Sequence, residues 1–409
     1  MTNAPVTNAR TDRFFNFPVT ILIFASFMLG MSEFVVVGIL PDIASGLKIS
    51  EVTVGNLVAL FAFVYAPCTP IGSALSARFP RFATYLILMG VFLVGNILCA
   101  LAPNYPVLLI ARLLIASVSG TLVAISMTFA PDVTTDKYRT KFIAWVFSGF
   151  SIASVVGVPI GTWVANTFGW RVTFYLVSVL TAVLMISMAL VLPRNSHPAK
   201  IGFLRQFRLF FDRRIQLGVL DVVCGAAASY VFYTYLSPIM RDEIGVPEQY
   251  LSIGLVIYGC ACLWSNLYGG KLADKGRGVE PLTHIRPIYC VQAVCLCLLA
   301  FASLVPAAGA LLLVVLGMLM YLQNSASQVL YMDVAYQSHP GSVNLAASLN
   351  SMSFNIGIAI GSAAVWSTIS LDSPGWGRSV RYSHYSLLAS LHCCVRIFSG
   401  DLRARTALS

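Results

Sequence analysis

The sequence predicts an all-α membrane protein made of two six-helix bundles in a parallel pseudo-repeat, with eleven clear transmembrane helices and an aberrant or missing twelfth. Three observations predict it. Pro41, Glu51, Gly72, Leu75 and Arg78 recur 197 positions later as Pro238, Glu248, Gly269, Leu272 and Lys275. A repeat at one fixed offset marks a doubled architecture. Of the 409 residues 58% are hydrophobic and 10% charged, with a mean hydropathy of +0.81, whereas soluble globular proteins carry roughly 25% charged residues. Finally, apolar runs of about 20 residues, the length that crosses a bilayer as a helix, return throughout the chain.

In order, the spans of the first half are expected near 19–40, 53–75, 83–102, 107–130, 142–164 and 172–192. Those of the second half fall near 215–239, 250–270, 286–305, 308–331 and 346–369. Backbone polar groups in lipid must be satisfied within their own segment, so these spans are helices. The net charge of +10 raises a nucleic-acid reading, which the placement of the charges excludes. Seventeen basic residues fall in alternate gaps between spans, among them Arg10, Arg13, Arg78, Arg81, Lys141, Arg205 and Lys275, against Lys48, Arg171 and Arg241 in the opposite set. That bias places the N-terminus in the cytoplasm of a multi-pass protein of the inner (plasma) membrane.

The chain therefore divides into a cytoplasmic N-terminus (1–18), a six-helix half (19–192), a cytoplasmic linker (193–214), a second half (215–376) and an atypical tail (377–409). Within the linker, Phe203, Leu204, Phe207 and Phe210 sit at helical spacing beside Arg205 and Arg208, the pattern of a short amphipathic surface helix or of a solvated linker. The tail carries Arg378, Arg381, Arg396, Arg403 and Arg405, and its apolar piece from Leu387 to Val395 is too short to span. A frameshift or a degenerate twelfth helix would give such a tail. The ten cysteines lie mostly within apolar spans, as small hydrophobes. Cys260/Cys262 and Cys295/Cys297 have no His or acidic neighbours at metal-ligand spacing, so no metal and no cofactor is expected. There is no HExxH motif, nucleophile elbow or phosphate-binding glycine loop, so the chain is not expected to be an enzyme.

Glu33 and Arg112 are the charges placed deepest within apolar runs. Each costs roughly 2.5–3.5 kcal/mol at a helix centre on insertion scales, so such residues face a cavity and find partners. Neither is repeated: the 197-residue offset carries Glu33 to Tyr230. A carboxyl group held away from water can load and release a proton, and a neighbouring Arg or a cationic substrate would favour its charged form. In the structural alternative, Glu33 pairs with a hydroxyl or backbone donor and Arg112 with helix-end carbonyls. Asp42 reads as a loop acid and Asp221 as a weaker intramembrane candidate. Tyr230, Tyr233, Thr234, Tyr235, Asn350 and Asn355 are candidates for the cavity wall, since aromatic faces stack on a ligand and amides orient it. Gly157 and Gly161 put small residues on one face of the fifth span, and Pro159 bends it. Gly357 and Gly361 repeat that spacing in the eleventh.

The loop Gly270-Lys271-Leu272-Ala273-Asp274-Lys275-Gly276 and its counterpart from Ser73 through Arg78 to Arg81 resemble the signature loops of the major facilitator superfamily. Ala77 and Pro80 stand where the family has Asp and Gly. Gly30-Met31-Ser32-Glu33-Phe34, Gly157-Val158-Pro159-Ile160-Gly161, Thr234-Tyr235-Leu236-Ser237-Pro238 and Ser348-Leu349-Asn350 resemble its drug:proton antiporter branch, and within it arabinose-efflux-permease-like and sugar-efflux members. The resemblance covers residues 15–375. It implies proton coupling through Glu33 and Arg112, and an antiport motif at Gly157, Pro159 and Gly161 that seals the route between the halves. It further implies signature-loop roles for Arg78, Arg81, Gly270, Asp274 and Lys275. The expected partners are a small-molecule substrate, protons and the lipid bilayer, with the protein a monomer that exports a sugar, metabolite or drug. An importer or facilitator would keep Glu33 without needing the seal, and a truncated gene would give a transport-inactive product.

Overall fold

A computed structural model describes residues 14–135, 138–194, 206–274, 286–299, 304–339 and 342–369. The expected tail at 377–409 and Lys275 lie outside the described residues. The helices are α1 (Phe17–Gly38), α2 (Leu40–Leu47), α3 (Glu51–Ser76), α4 (Arg81–Leu101), α5 (Tyr105–Thr128), α6 (Ala130–Val133), α7 (Arg139–Ile152), α8 (Val158–Phe168) and α9 (Trp170–Val191). There follow α10 (Arg213–Tyr233), α11 (Leu236–Pro238), α12 (Glu248–Asp274), α13 (Arg286–Leu299), α14 (Pro306–Leu319), α15 (Asn324–Ser338) and α16 (Val343–Ile369). Among the described residues eight helices are long and apolar enough to cross a membrane, and no strand is present.

At α1, α3, α5 and α10 the helix starts two residues before its apolar run, because a polar residue outside the run supplies the cap. The Asn16 side chain accepts the Val19 N–H at 2.9 Å, Ser50 Oγ that of Thr53 at 3.1 Å, and Asn104 that of Val107 at 3.1 Å. Asp212 accepts the Arg214 N–H at 2.9 Å. Such caps satisfy donors that a helix start leaves open. The doubling is visible in the bounds themselves: α3 starts at Glu51 and α12 at Glu248.

Three spans are less regular than the hydropathy predicts. The fifth is interrupted by a π-helical turn at Ala153–Gly157, just before Pro159 in the first turn of α8. The seventh ends at Tyr233, and α11 and a π turn at Ile239–Glu243 follow it. The tenth is broken into α14 and α15 around Met320–Gln323. Asp42 is a helix residue in the first turn of α2, not a loop acid. In the linker the described part of the expected amphipathic helix is a 3-10 turn, Phe207–Phe211, with Leu209 buried and Phe211 exposed.

In the first half α1 packs on α7, α8 and α9, α3 on α5, and α4 on α5 and α9. In the second, α10 packs on α16, and α12 and α13 on α14. The halves meet along two seams: α3 and α5 against α16, and the fifth span against α12. The outer surface is apolar, as lipid requires; α9 exposes Val179, Val183, Ile186 and Leu190 along one stripe.

Both glycine pairs serve contacts inside a half. A Cβ on Gly157 would meet the Met31 side chain of α1 at 3.1 Å, and one on Gly161 would run into Val35 of the same helix. One on Gly357 would meet the Val223 carbonyl of α10 at 2.5 Å, and Gly361 lies against Ala227. Fifth-on-first and eleventh-on-seventh are thus the same packing made twice.

Candidate functional site

Arg112 projects from α5 and is 1% exposed. Its guanidinium donates to the Ser32 carbonyl at 2.6 Å and to the Glu33 carbonyl at 3.2 Å, and stacks over the Phe61 ring at 4.4 Å. These carbonyls lie within α1, not at a helix end, so the structural alternative drawn from the sequence is met in altered form. Arg112 clamps the backbone of the helix that carries Glu33, while its own charge is shielded by an aromatic face. Ser32 extends the clamp by donating to Asn96 Oδ1 at 2.8 Å, and Asn96 is itself held by the Phe92 carbonyl at 2.9 Å.

The Glu33 carboxyl group is left free to act. It is buried, and its Oε2 has no hydrogen-bond partner. Within its electrostatic reach lie the phenols of Tyr65 from the first half and of Tyr230, Tyr233 and Tyr321 from the second. Glu33 and Tyr230, which the repeat makes equivalent, therefore lie within electrostatic range of one another. Burying an acid with an oxygen unpartnered is costly in lipid.

Around it stands an aromatic wall. Tyr230 meets Tyr233 edge-on at 5.1 Å and Phe354 at 5.7 Å with the rings perpendicular. Tyr233 stacks on Tyr258 at 5.6 Å, Tyr321 on Phe354 at 5.7 Å, and Phe34 reaches Tyr233 across the halves at 6.3 Å. Sequence reasoning picked out Tyr230 and Tyr233 and missed Tyr65, Tyr258, Tyr321 and Phe354. Aromatic residues are common in spans, and only the fold shows which of them converge.

The other wall candidates separate. Thr234 donates to the Tyr230 carbonyl or shares a hydrogen bond with Ser362 at 2.7 Å, so it ties α10 to α16. Tyr235 is buried against Gly55 of α3, away from the ring cluster and towards the Glu51 end. Asn355 donates to the Ser351 carbonyl at 3.1 Å and leaves its Oδ1 without a partner. Asn350 donates to Asn324, with its own Oδ1 likewise unpartnered.

At the end of the bundle carrying Glu51, the halves are joined. Ser237 donates to the Val37 carbonyl at 3.1 Å, and Arg241 pairs with Glu51 at 2.9 Å and with Asp242 at 2.7 Å. Asp42 lies in the same cluster, where burial and then the charge of Glu248 hold it above the usual carboxylate range. Deeper in, Asn266 of α12 donates to Ser151 of α7 at 2.8 Å. A Cβ on Gly259 of α12 would meet Val155 Cα at 2.6 Å and the Ser154 carbonyl at 2.7 Å. The cross-half face of the fifth span therefore includes Ser151, Ser154 and Val155, whereas Gly157 and Gly161 look inward to α1.

At the opposite end Arg81 bonds the Thr128 carbonyl, pairs with Asp132 and lies over Phe129 at 4.2 Å, pinning the start of α4, and with it the loop before, to the end of α5. Arg78 is exposed on that loop. Gly270 and Asp274 fall in the last turns of α12.

Residues 22–362 match the family model of the Major Facilitator Superfamily. The MFS-type transporter YtbD of Bacillus subtilis is 30% identical over 356 residues, covering 86% of this chain and 89% of YtbD. The inner membrane transport protein YdhP of Escherichia coli K12 is 29% identical over 87% of this chain and 89% of its own. A bacterial homologue of the human lysosomal transporter Spinster, solved inward-facing and unoccupied, has a TM-score of 0.68 at 16% identity, covering 93% of this chain and 94% of that one.

Proposed function

The chain belongs to the major facilitator superfamily, and from that premise we propose that this multi-pass membrane transporter exports a small molecule in exchange for protons, with Glu33 as the proton-carrying group. The observation that carries the reading is the Glu33 carboxyl group: buried, with Oε2 unpartnered, and facing tyrosines of both halves. A group so placed holds either a proton or the substrate. Rocking of the halves about it then exposes it to one side at a time. Arg112 positions Glu33 by holding the α1 backbone, and it supplies a fixed positive charge that lets the carboxylate form in the cavity.

The fifth-span motif supports antiport by letting α1, and hence Glu33, pack tightly against the helix whose other face meets α12. The basic-loop bias supports a cytoplasmic N-terminus, and the name of the YdhP relative supports the inner membrane as location. The contacts of α1 with α7–α9 and of α10 with α16 support a division into halves at 19–192 and 215–376, and the protein is read as a monomer. The mixture of rings and amides around Glu33 supports a small molecule, a sugar, another metabolite or a drug, as the substrate.

The reading is tested by proton-gradient-driven efflux of a labelled sugar, metabolite and drug panel from cells expressing the chain, beside Glu33→Gln. Efflux by the unaltered chain and its loss in the variant are expected. Efflux that persists in Glu33→Gln at the same expression level contradicts proton coupling through this residue.

A further inference from the structure

A second polar cluster lies inside the C-terminal half, and transport through Glu33 makes no use of it. Asn324, Gln328 and Tyr331 fall at i, i+4 and i+7 of α15 and so share one helix face. That face meets two helices of the same half. Asn324 Oδ1 accepts from Asn350 Nδ2 of α16. The Tyr331 ring lies against Gly218 of α10, where a Cβ would meet it at 2.8 Å. One turn further along α10, Asp221 is within electrostatic reach of the Tyr331 phenol. Three helices thus bring a carboxyl group, amides and a phenol to one seam. Gln328 is 7% exposed, Asn350 3% and Tyr331 0%. Both ends of the Gln328 amide, Asn350 Oδ1 and the Tyr331 hydroxyl complete no hydrogen bond. Ser353, beside Tyr331, spends its own proton on the Leu349 carbonyl at 2.7 Å. Gln323, next along α15, lies against Gly225 and has a contact of its own.

Unmet polar groups inside an apolar bundle are costly. Here oxygen lone pairs outnumber the available protons, which sit on Gln328 Nε2 and Tyr331. We propose that this seam binds a sodium ion, held by the Asp221 carboxylate, the amide oxygens of Gln328 and Asn350, and the Tyr331 hydroxyl. Hard cations take oxygen ligands of these kinds. One carboxylate matches one positive charge, whereas a divalent ion would leave net charge buried among apolar helices. Among the described residues no three His, Cys, Asp or Glu gather, so a transition metal finds no donor set. The unpartnered atoms offer no surface to water, which favours sodium, smaller than a water molecule, over potassium. The ion ties α10 to α15 and α16, and it gives Asn350, expected at the substrate cavity, another task. The site shares no residue with Glu33, Arg112 or the ring cluster, so it stands independently of the exporter reading.

Thermal unfolding of the purified full-length protein in sodium, potassium or choline chloride at equal ionic strength tests it, together with binding of sodium-22. Sodium is expected to raise the unfolding temperature by about 3 °C over choline, and potassium by less. Asp221→Asn and Gln328→Leu should each lose that rise and the bound sodium-22. In choline, Gln328→Leu should unfold no lower than the unaltered chain, because it removes an amide with no partner to lose. The same unfolding temperature in sodium and choline, or no sodium-22 bound, overturns the proposal. So does a rise with potassium, magnesium or calcium that equals or exceeds the rise with sodium. A folded Asp221→Asn protein that keeps the sodium effect overturns it as well. Should that variant not fold, Gln328→Leu and the unaltered chain decide.

Discussion

Arg112 and Glu33 sit at the same depth, yet they have different tasks. Arg112 has its charge stacked on Phe61 and two of its nitrogens bonded to α1, whereas the Glu33 carboxyl group keeps Oε2 unpartnered among the rings. Substitution should separate the two. A hydrogen bond to a charged group contributes roughly 1.5–3 kcal/mol, so Arg112→Ala is expected to lower the thermal unfolding temperature of the purified protein markedly. Glu33→Gln should unfold close to the unaltered chain while failing to transport. An Arg112→Ala protein that melts like the parent contradicts the clamp. The two charges were legible in the sequence because each interrupts an apolar run. The aromatic wall was not: nothing in the spacing of Tyr258, Tyr321 or Phe354 distinguishes a ring that reaches the cavity from one that faces lipid. Thr234 misleads for a related reason, because a hydroxyl in lipid can be satisfied by a neighbouring helix, here through Ser362.

Helix existence and order could be read from hydropathy, and the starts of α1, α3, α5 and α10 from the polar caps that precede their apolar runs. The interruptions could not. A π turn such as Ala153–Gly157 and the break around Met320–Gln323 change neither hydropathy nor length, and they are set by what packs on them. The fifth span shows this. Its glycines were legible, but which helix they approach was not; the close approach across the halves belongs to Gly259. A side chain there would press on backbone atoms of Ser154 and Val155, which cannot rotate away. Gly259→Val is therefore expected to push α12 off the fifth span and lower efflux at least about tenfold. Gly254→Ala, whose nearest neighbour is the flexible Met240 side chain, should transport normally. Equal activity in the two variants would contradict the seam.

At the scale of the molecule, the repeat predicts two alike halves and the structure shows where they hold one another. The Glu51 end is closed by Ser237 on the α1 carbonyls and by the Arg241–Glu51 pair. A partly exposed ion pair contributes up to about 1 kcal/mol, enough to shift a balance of open and closed forms severalfold without unfolding anything. In a background with its other cysteines replaced, Val54→Cys, buried next to this contact, should react roughly threefold faster with a membrane-impermeant thiol reagent once Arg241→Gln is added. An unchanged rate contradicts the latch.

Whether a proton and the substrate share Glu33 is the central question. It is answered most directly by adding the first substrate found in the efflux panel to purified protein in weak buffer and recording the pH with an indicator dye. Proton release on binding, abolished in Glu33→Gln, is the expected result. Binding that releases no proton, or release that is undiminished in the variant, would contradict the account.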